Sequence, residues 1–206
     1  MANLPRLENR WQSLSIDLPV GSVSIWNLFL RSYADNGLAY HNLDHIEDCL
    51  NQFDERREEA HDPLALELAI WFHDLVYDPQ APDNEEQSAL LASGFLTRCP
   101  IRDSVAELIL TTRHTAPPVT RDGELLCDID LSILASTPDR YHRYAGAIRQ
   151  EYSFVPDSEY QSGRVAVLET FLDRPAIFHL DNSRRLFESP ARQNIQSEII
   201  RLTESR

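Results

Sequence analysis

His73 and Asp74 stand side by side at the end of the most apolar stretch of the chain, Leu64–Val76. An ionised carboxylate in such surroundings needs a partner, a proton or a cation, because burying it alone costs many kcal/mol. Upstream runs Tyr40-His41-Asn42-Leu43-Asp44-His45. A helix beginning near His41 would project His41 and His45, one turn apart, from one face. Downstream runs Asp128-Ile129-Asp130-Leu131-Ser132. Asp130 shares its helical stripe with Leu126, Ile133 and Leu134 and is expected to face the core. Asp128 shares its stripe with Glu124 and Ser132 and is expected to face out. Taken singly, each residue is as readily a core polar group satisfied by hydrogen bonds. Taken together, imidazoles and carboxylates brought to one core by three helices suit a divalent transition metal or Mg²⁺.

The elements that must position these residues are helices. Glycine is scarce, at six of 206 residues, and apolar residues recur with a period near 3.6. Amphipathic helices are expected over Leu4–Ile16 and Val23–Tyr33. Ile46, Cys49, Leu50 and Phe53 mark the next one, which starts near His41. Leu64–Val76 is apolar on every side and reads as a central helix, stopped by Asp78-Pro79. Asp83 is expected to cap the following helix, with Glu86 completing a capping box, and that helix runs to about Arg98. Further helices are expected from Asp103, over Glu124–Ala135, from Thr137-Pro138, over Ser158–Leu172 with Asp157 as cap, and around Ile195, Ile199 and Leu202. No alternating strand pattern appears, so the fold class is all-α, one domain over 1–206.

The formal net charge is -14, and no Lys/Arg cluster interrupts it. That balance argues against a nucleic-acid duplex or an anionic membrane as partner. A small phosphate ester stays open, since a bound metal supplies local positive charge. Cys49, Cys99 and Cys127 lie far apart in apolar stretches and read as buried free thiols in a reducing compartment. Met1–Arg10 holds no long apolar run, and no stretch approaches the roughly 18 apolar residues of a membrane span, so a cytoplasmic location is expected. The phosphate loop Gly-Lys-Ser/Thr, the Gly-x-Ser-x-Gly elbow, His-Glu-x-x-His and Cys-x-x-Cys are all absent.

The order His … His-Asp … Asp over His41–Asp130 resembles the HD superfamily of metal-dependent phosphohydrolases. Tyr40-His41-Asn42 with His45, and Asp130-Leu131-Ser132, are similar to motifs of its cyclic-nucleotide phosphodiesterases. Tyr77-Asp78-Pro79 and Asn84-Glu85-Glu86 resemble a bacterial group of predicted HD phosphohydrolases. The resemblance implies an HD-domain helical bundle with extra N- and C-terminal helices. It implies His45, His73, Asp74 and Asp130 as ligands of one divalent ion (Mg, Mn, Fe, Co, Ni or Zn), with Asp74 able to bridge a second. It further implies cleavage of a phosphoester or phosphoanhydride of a small, nucleotide-type substrate, with a metal-activated water as nucleophile and His41 giving a proton to the leaving oxygen.

Around this centre, His114 is either a second-metal or substrate residue or a cation at a helix C-terminus. Glu85 and Glu86 would sit near the metal, although the capping box also explains Glu86. Arg149 and Arg164 are candidates for a substrate phosphate, with a buried carboxylate such as Glu151 as the alternative partner of Arg164. His61, His142 and His179 read as ordinary residues, and the Tyr141, Tyr144, Ile148 stripe as packing. An HD-fold mixed-valence di-iron oxygenase and a non-catalytic nucleotide-binding module are the alternative functions. Oligomeric state is left open.

Overall fold

The computed structural model describes residues 1–16, 18, 21–34 and 37–204. Among the described residues there are ten α-helices and no strand, so the fold is all-α as expected. No helix among them is long and apolar enough to cross a membrane. By its internal contacts the chain divides into two compact units, residues 1–126 and 127–206, with the boundary inside a helix.

The first unit holds α1 (Leu4–Ser15), α2 (Ser22–Phe29) with wider π-helical turns over Leu30–Ala34, α3 (Leu43–Arg56), α4 (Pro63–Phe72), α5 (Asn84–Phe95), α6 (Arg102–Thr111) and the start of α7 (Arg121–Asp130). Side-chain caps fix several of these starts. Asn42 Oδ1 accepts from Asp44 N at 2.8 Å, and Asp62 Oδ1 accepts from Ala65 N at 3.0 Å. Pro63 opens α4, where a missing N–H costs nothing. Asp122 on α7 accepts the backbone N–H groups of His61 and Asp62 and so anchors the entry to α4.

α4 is the central helix, with every residue from Ala65 to Phe72 buried, and it packs on α3, α5 and α6. Trp71 stacks on Phe29 and meets Trp11 and Trp26 edge-on. Glu67, the one charge on this helix, takes hydrogen bonds from Arg10 and Arg57.

Two boundaries beside the histidines differ from the sequence expectation. α3 begins at Leu43, not near His41, because Asn42 turns the chain in as N-cap. α4 stops at Phe72, not at Asp78-Pro79. The buried Tyr33 hydroxyl donates to the Trp71 carbonyl at 3.0 Å, one of the groups a longer helix would pair internally. His73 and Asp74 therefore sit in the turn that ends the helix.

The second unit holds the last turn of α7, a 3₁₀ segment Leu131–Ala135, α8 (Pro138–Glu151), α9 (Asp157–Leu172) and α10 (Asp181–Glu204). Its core joins Leu134, Tyr141, Leu168, Ile177, Phe178 and Ile195. Pro190 lies inside α10; Leu186, whose carbonyl it leaves without a helical donor, is exposed.

Asp128 is fully buried, against expectation. Residues 125–129 of α7 are all buried, so the helix offers no solvent face there for a polar stripe to mark. The Asp128 carboxylate instead accepts the backbone N–H groups of His179 and Leu180 at 2.7 and 2.9 Å, just ahead of α10. Asp157 is likewise the first residue of α9 rather than its cap, and its carboxylate pairs with Arg149.

Candidate metal centre

α3 and the turn that ends α4 bring three donor atoms together. His45 and His73 are buried, and the Asp74 side chain is 14 % exposed. His45 Nε2 lies 3.2 Å from His73 Nε2. Asp74 Oδ2 lies 3.1 Å from His73 Nε2 and 3.5 Å from His45 Nε2. Those edges match two ligands of one cation. Metal–ligand bonds of about 2.1 Å separate neighbouring donors by about 3.0 Å in an octahedron and about 3.4 Å in a tetrahedron.

The tautomer of His73 follows from its other nitrogen. Nδ1 lies 2.9 Å from the Ile70 carbonyl oxygen, which can only accept, so Nδ1 carries the proton. In the neutral ring Nε2 is then a bare lone pair aimed at His45 and Asp74. A backbone carbonyl on the far nitrogen is the usual device for orienting a metal-ligating imidazole. Cys49, one turn after His45, places its Sγ 3.7 Å from both His45 nitrogens.

Asp130 stands half-buried in the last turn of α7, not turned out to solvent. His45, His73 and Asp130 each offer one ligand atom, these atoms lie within 4.8 Å of one another, and together they could hold a metal ion. In the metal-free site with the imidazoles protonated, burial pushes the Asp74 carboxyl up, and the charge of His73, its hydrogen bond to Asp74 and the charges of His41 and His45 outweigh it and hold it down at about 2.

A carboxyl so depressed contributes stability above its ordinary value and loses it as pH falls through the folded value. The metal-free wild type is therefore expected to exceed Asp74→Asn in stability near pH 4 by a margin that closes as pH falls towards 2. Urea unfolding of both proteins across that window measures it; a margin independent of pH would contradict the assignment.

His41 precedes α3 in a turn, so it does not share a helix face with His45 as expected. It is nonetheless near the centre, with its ring centroid 6.1 Å from that of His45. Its ring lies flat on Tyr77, centroids 3.7 Å apart and planes 19° from parallel. Tyr40 meets His41 edge-on and tilts against His45.

The remaining candidates are placed differently. Asp83 does stand at the N-cap of α5, but the capping box does not form. Its carboxylate accepts from the Gln87 side chain, and Glu86 pairs with Arg113. Glu85 is half-buried in the first turn of α5. His114 has φ +55 beyond the end of α6, a left-handed residue of the kind that terminates helices.

Arg149 spends its guanidinium on the Tyr152 and Val155 carbonyls and on Asp157. Arg164 is paired, but with Glu198 rather than Glu151. Sequence reasoning missed Tyr33 and Tyr77 as supports of the centre. Tyr77 was visible as part of Tyr77-Asp78-Pro79, while nothing in the spacing marked Tyr33.

Cys49, Cys99 and Cys127 are buried and none is joined in a disulfide, as expected. Neither a family model, nor a curated protein, nor a solved structure matches the chain.

Proposed function

We propose that the protein is a metal-dependent phosphohydrolase acting on a small phosphorylated substrate of nucleotide type. The observation that carries the reading is the triangle of His45 Nε2, His73 Nε2 and Asp74 Oδ2, with edges of 3.1–3.5 Å at the end of a buried helix. Asp130 is the fourth ligand in this reading. A divalent ion bound there supplies Lewis acidity at a phosphoryl oxygen and an acidified water.

The chain's own residues do the rest. His73, locked by the Ile70 carbonyl, holds its lone pair in place. His41, outside the ligand triangle, gives a proton to the leaving oxygen. The resemblance of His41, His45, His73-Asp74 and Asp130 to the HD pattern supports the same chemistry. Three buried cysteines without a disulfide suit a reducing cytoplasm.

The test is turnover of a panel of nucleotides and phosphate esters with Mn²⁺, Mg²⁺, Co²⁺ and Ni²⁺. Metal-dependent release of phosphate or nucleoside that disappears in Asp74→Ala is the expected result. Turnover that persists in that variant, or no turnover with any ion, removes the reading.

A further inference from the structure

We propose that Tyr77 is a positioning residue for His41, holding its imidazole at the angle from which it protonates the leaving oxygen. This rests on the phosphohydrolase reading above.

His41 has no helix to hold it. It stands in a turn ahead of α3 and is half-buried. The face of Tyr77 lies against it, at 3.7 Å between centroids and 19° between planes. A face-to-face contact so close leaves the imidazole free to slide but not to tip. Tyr40, edge-on at 5.0 Å, closes a second side.

Tyr77 is itself held on both flanks. Val76 N donates to Ser88 Oγ at 3.0 Å, and Ser88 Oγ donates to the Val76 carbonyl at 3.3 Å. Asp78 N donates to Asn84 Oδ1 and Asn84 Nδ2 donates to the Asp78 carbonyl, both at 2.9 Å. Ser88 and Asn84 belong to α5, so the irregular segment after Asp74 is pinned to a helix at the residue before Tyr77 and the residue after it. The aromatic face is thus fixed relative to the first unit, and it passes that fixity to His41.

The step it serves balances simply. Water adds its oxygen to phosphorus and releases a proton to solvent, the bond from phosphorus to the leaving oxygen breaks, and the imidazolium N–H proton passes to that oxygen. The alcohol and the phosphate leave, and solvent returns a proton to His41. A p-nitrophenolate departs without such help, whereas an alkyl or nucleoside oxygen needs it.

The experiment compares wild type, Tyr77→Ala and Tyr77→Phe, each loaded with Mg²⁺, on a p-nitrophenyl ester and a nucleoside ester of phosphate. Tyr77→Ala is expected to lower kcat on the nucleoside ester by about 10–100-fold, with a change under about 3-fold on the p-nitrophenyl ester. Tyr77→Phe, which keeps the aromatic face, is expected to retain both rates. Equal losses on both esters in Tyr77→Ala, or full retention on the nucleoside ester, would overturn the proposal.

A second readout does not depend on turnover. The ring-current shift of the carbon-bound His41 protons, read by NMR, is expected in wild type and Tyr77→Phe and lost in Tyr77→Ala. Its absence from wild type overturns the stack whatever the activity. Its presence in a wild type inactive on every ester with every ion defeats the phosphohydrolase reading instead, and leaves the stack as packing.

Discussion

Asp74→Ala is expected to lower metal affinity by more than about 100-fold and to take hydrolysis below detection. The expectation comes from the geometry of the triangle. Asp74 Oδ2 is the anionic corner of that triangle, within 3.5 Å of both His45 Nε2 and His73 Nε2. Removing a mere outer-shell partner of a metal ligand costs about 10–100-fold in affinity, and removing a ligand that also carries the charge costs more. Asp74→Asn separates the two contributions, because it keeps a donor oxygen and loses the charge. Calorimetric titration of Mn²⁺ into the metal-free proteins reads both variants. Affinity within about 3-fold of wild type for Asp74→Ala would mean that the corner belongs to a hydrogen-bond network and not to a cation site.

Glu198→Ala is expected to destabilise the protein by about 3–5 kcal/mol, the cost of leaving a buried charge without its partner. The Arg164 and Glu198 side chains are 9 % and 3 % exposed, and Arg164 Nε meets Glu198 Oε1 at 2.9 Å. The Tyr141 hydroxyl donates to the other carboxylate oxygen at 2.5 Å. Burial first, and then the Glu198 charge, hold the Tyr141 phenol far above its ordinary range, so it stays a donor throughout.

Alanine at 198 orphans the phenol and leaves the guanidinium only the neutral Tyr144, whose hydroxyl lies 3.4 Å away, a loss that is a large share of the 5–15 kcal/mol that stabilises a typical domain. The double variant Arg164→Met with Glu198→Leu removes both charges together and is expected to recover most of the loss. Urea midpoints measure all three proteins. A loss under about 1 kcal/mol for Glu198→Ala would mean that Arg164 is held by something else and is available to a ligand.

Helices were legible from period and from the scarcity of glycine, and the pairing of His45 with His73-Asp74 came from residue type together with the resemblance to the HD pattern. The local turns were not. The apolar run through Leu75 and Val76 reads as continuing helix, yet the chain leaves helical geometry at His73. The decisive contact there, Tyr33 to the Trp71 carbonyl, joins residues 38 positions apart.

His41 and His45 share a spacing that a helix would explain equally well, but the Asn42 cap places the start of α3 between them. Asp128 and Asp130 show why stripe arguments fail on a helical stretch such as residues 125–129, buried on every side. Polar residues on it do not mark a solvent face, and Asp128 is buried because it clamps two backbone N–H groups. Asp83, Glu86 and Gln87 form ordinary α5 sequence, and Arg113 drew Glu86 away from the capping role.

The most direct measurement is a crystal structure of the protein grown with Mn²⁺, with anomalous scattering recorded to locate the ion. The predicted result is one strong peak about 2.0–2.2 Å from His45 Nε2, His73 Nε2 and Asp74 Oδ2, with an Asp130 oxygen completing the set. Density for a hydrogen-bonded His45–His73 pair at saturating Mn²⁺, with no anomalous peak beside it, would contradict the account.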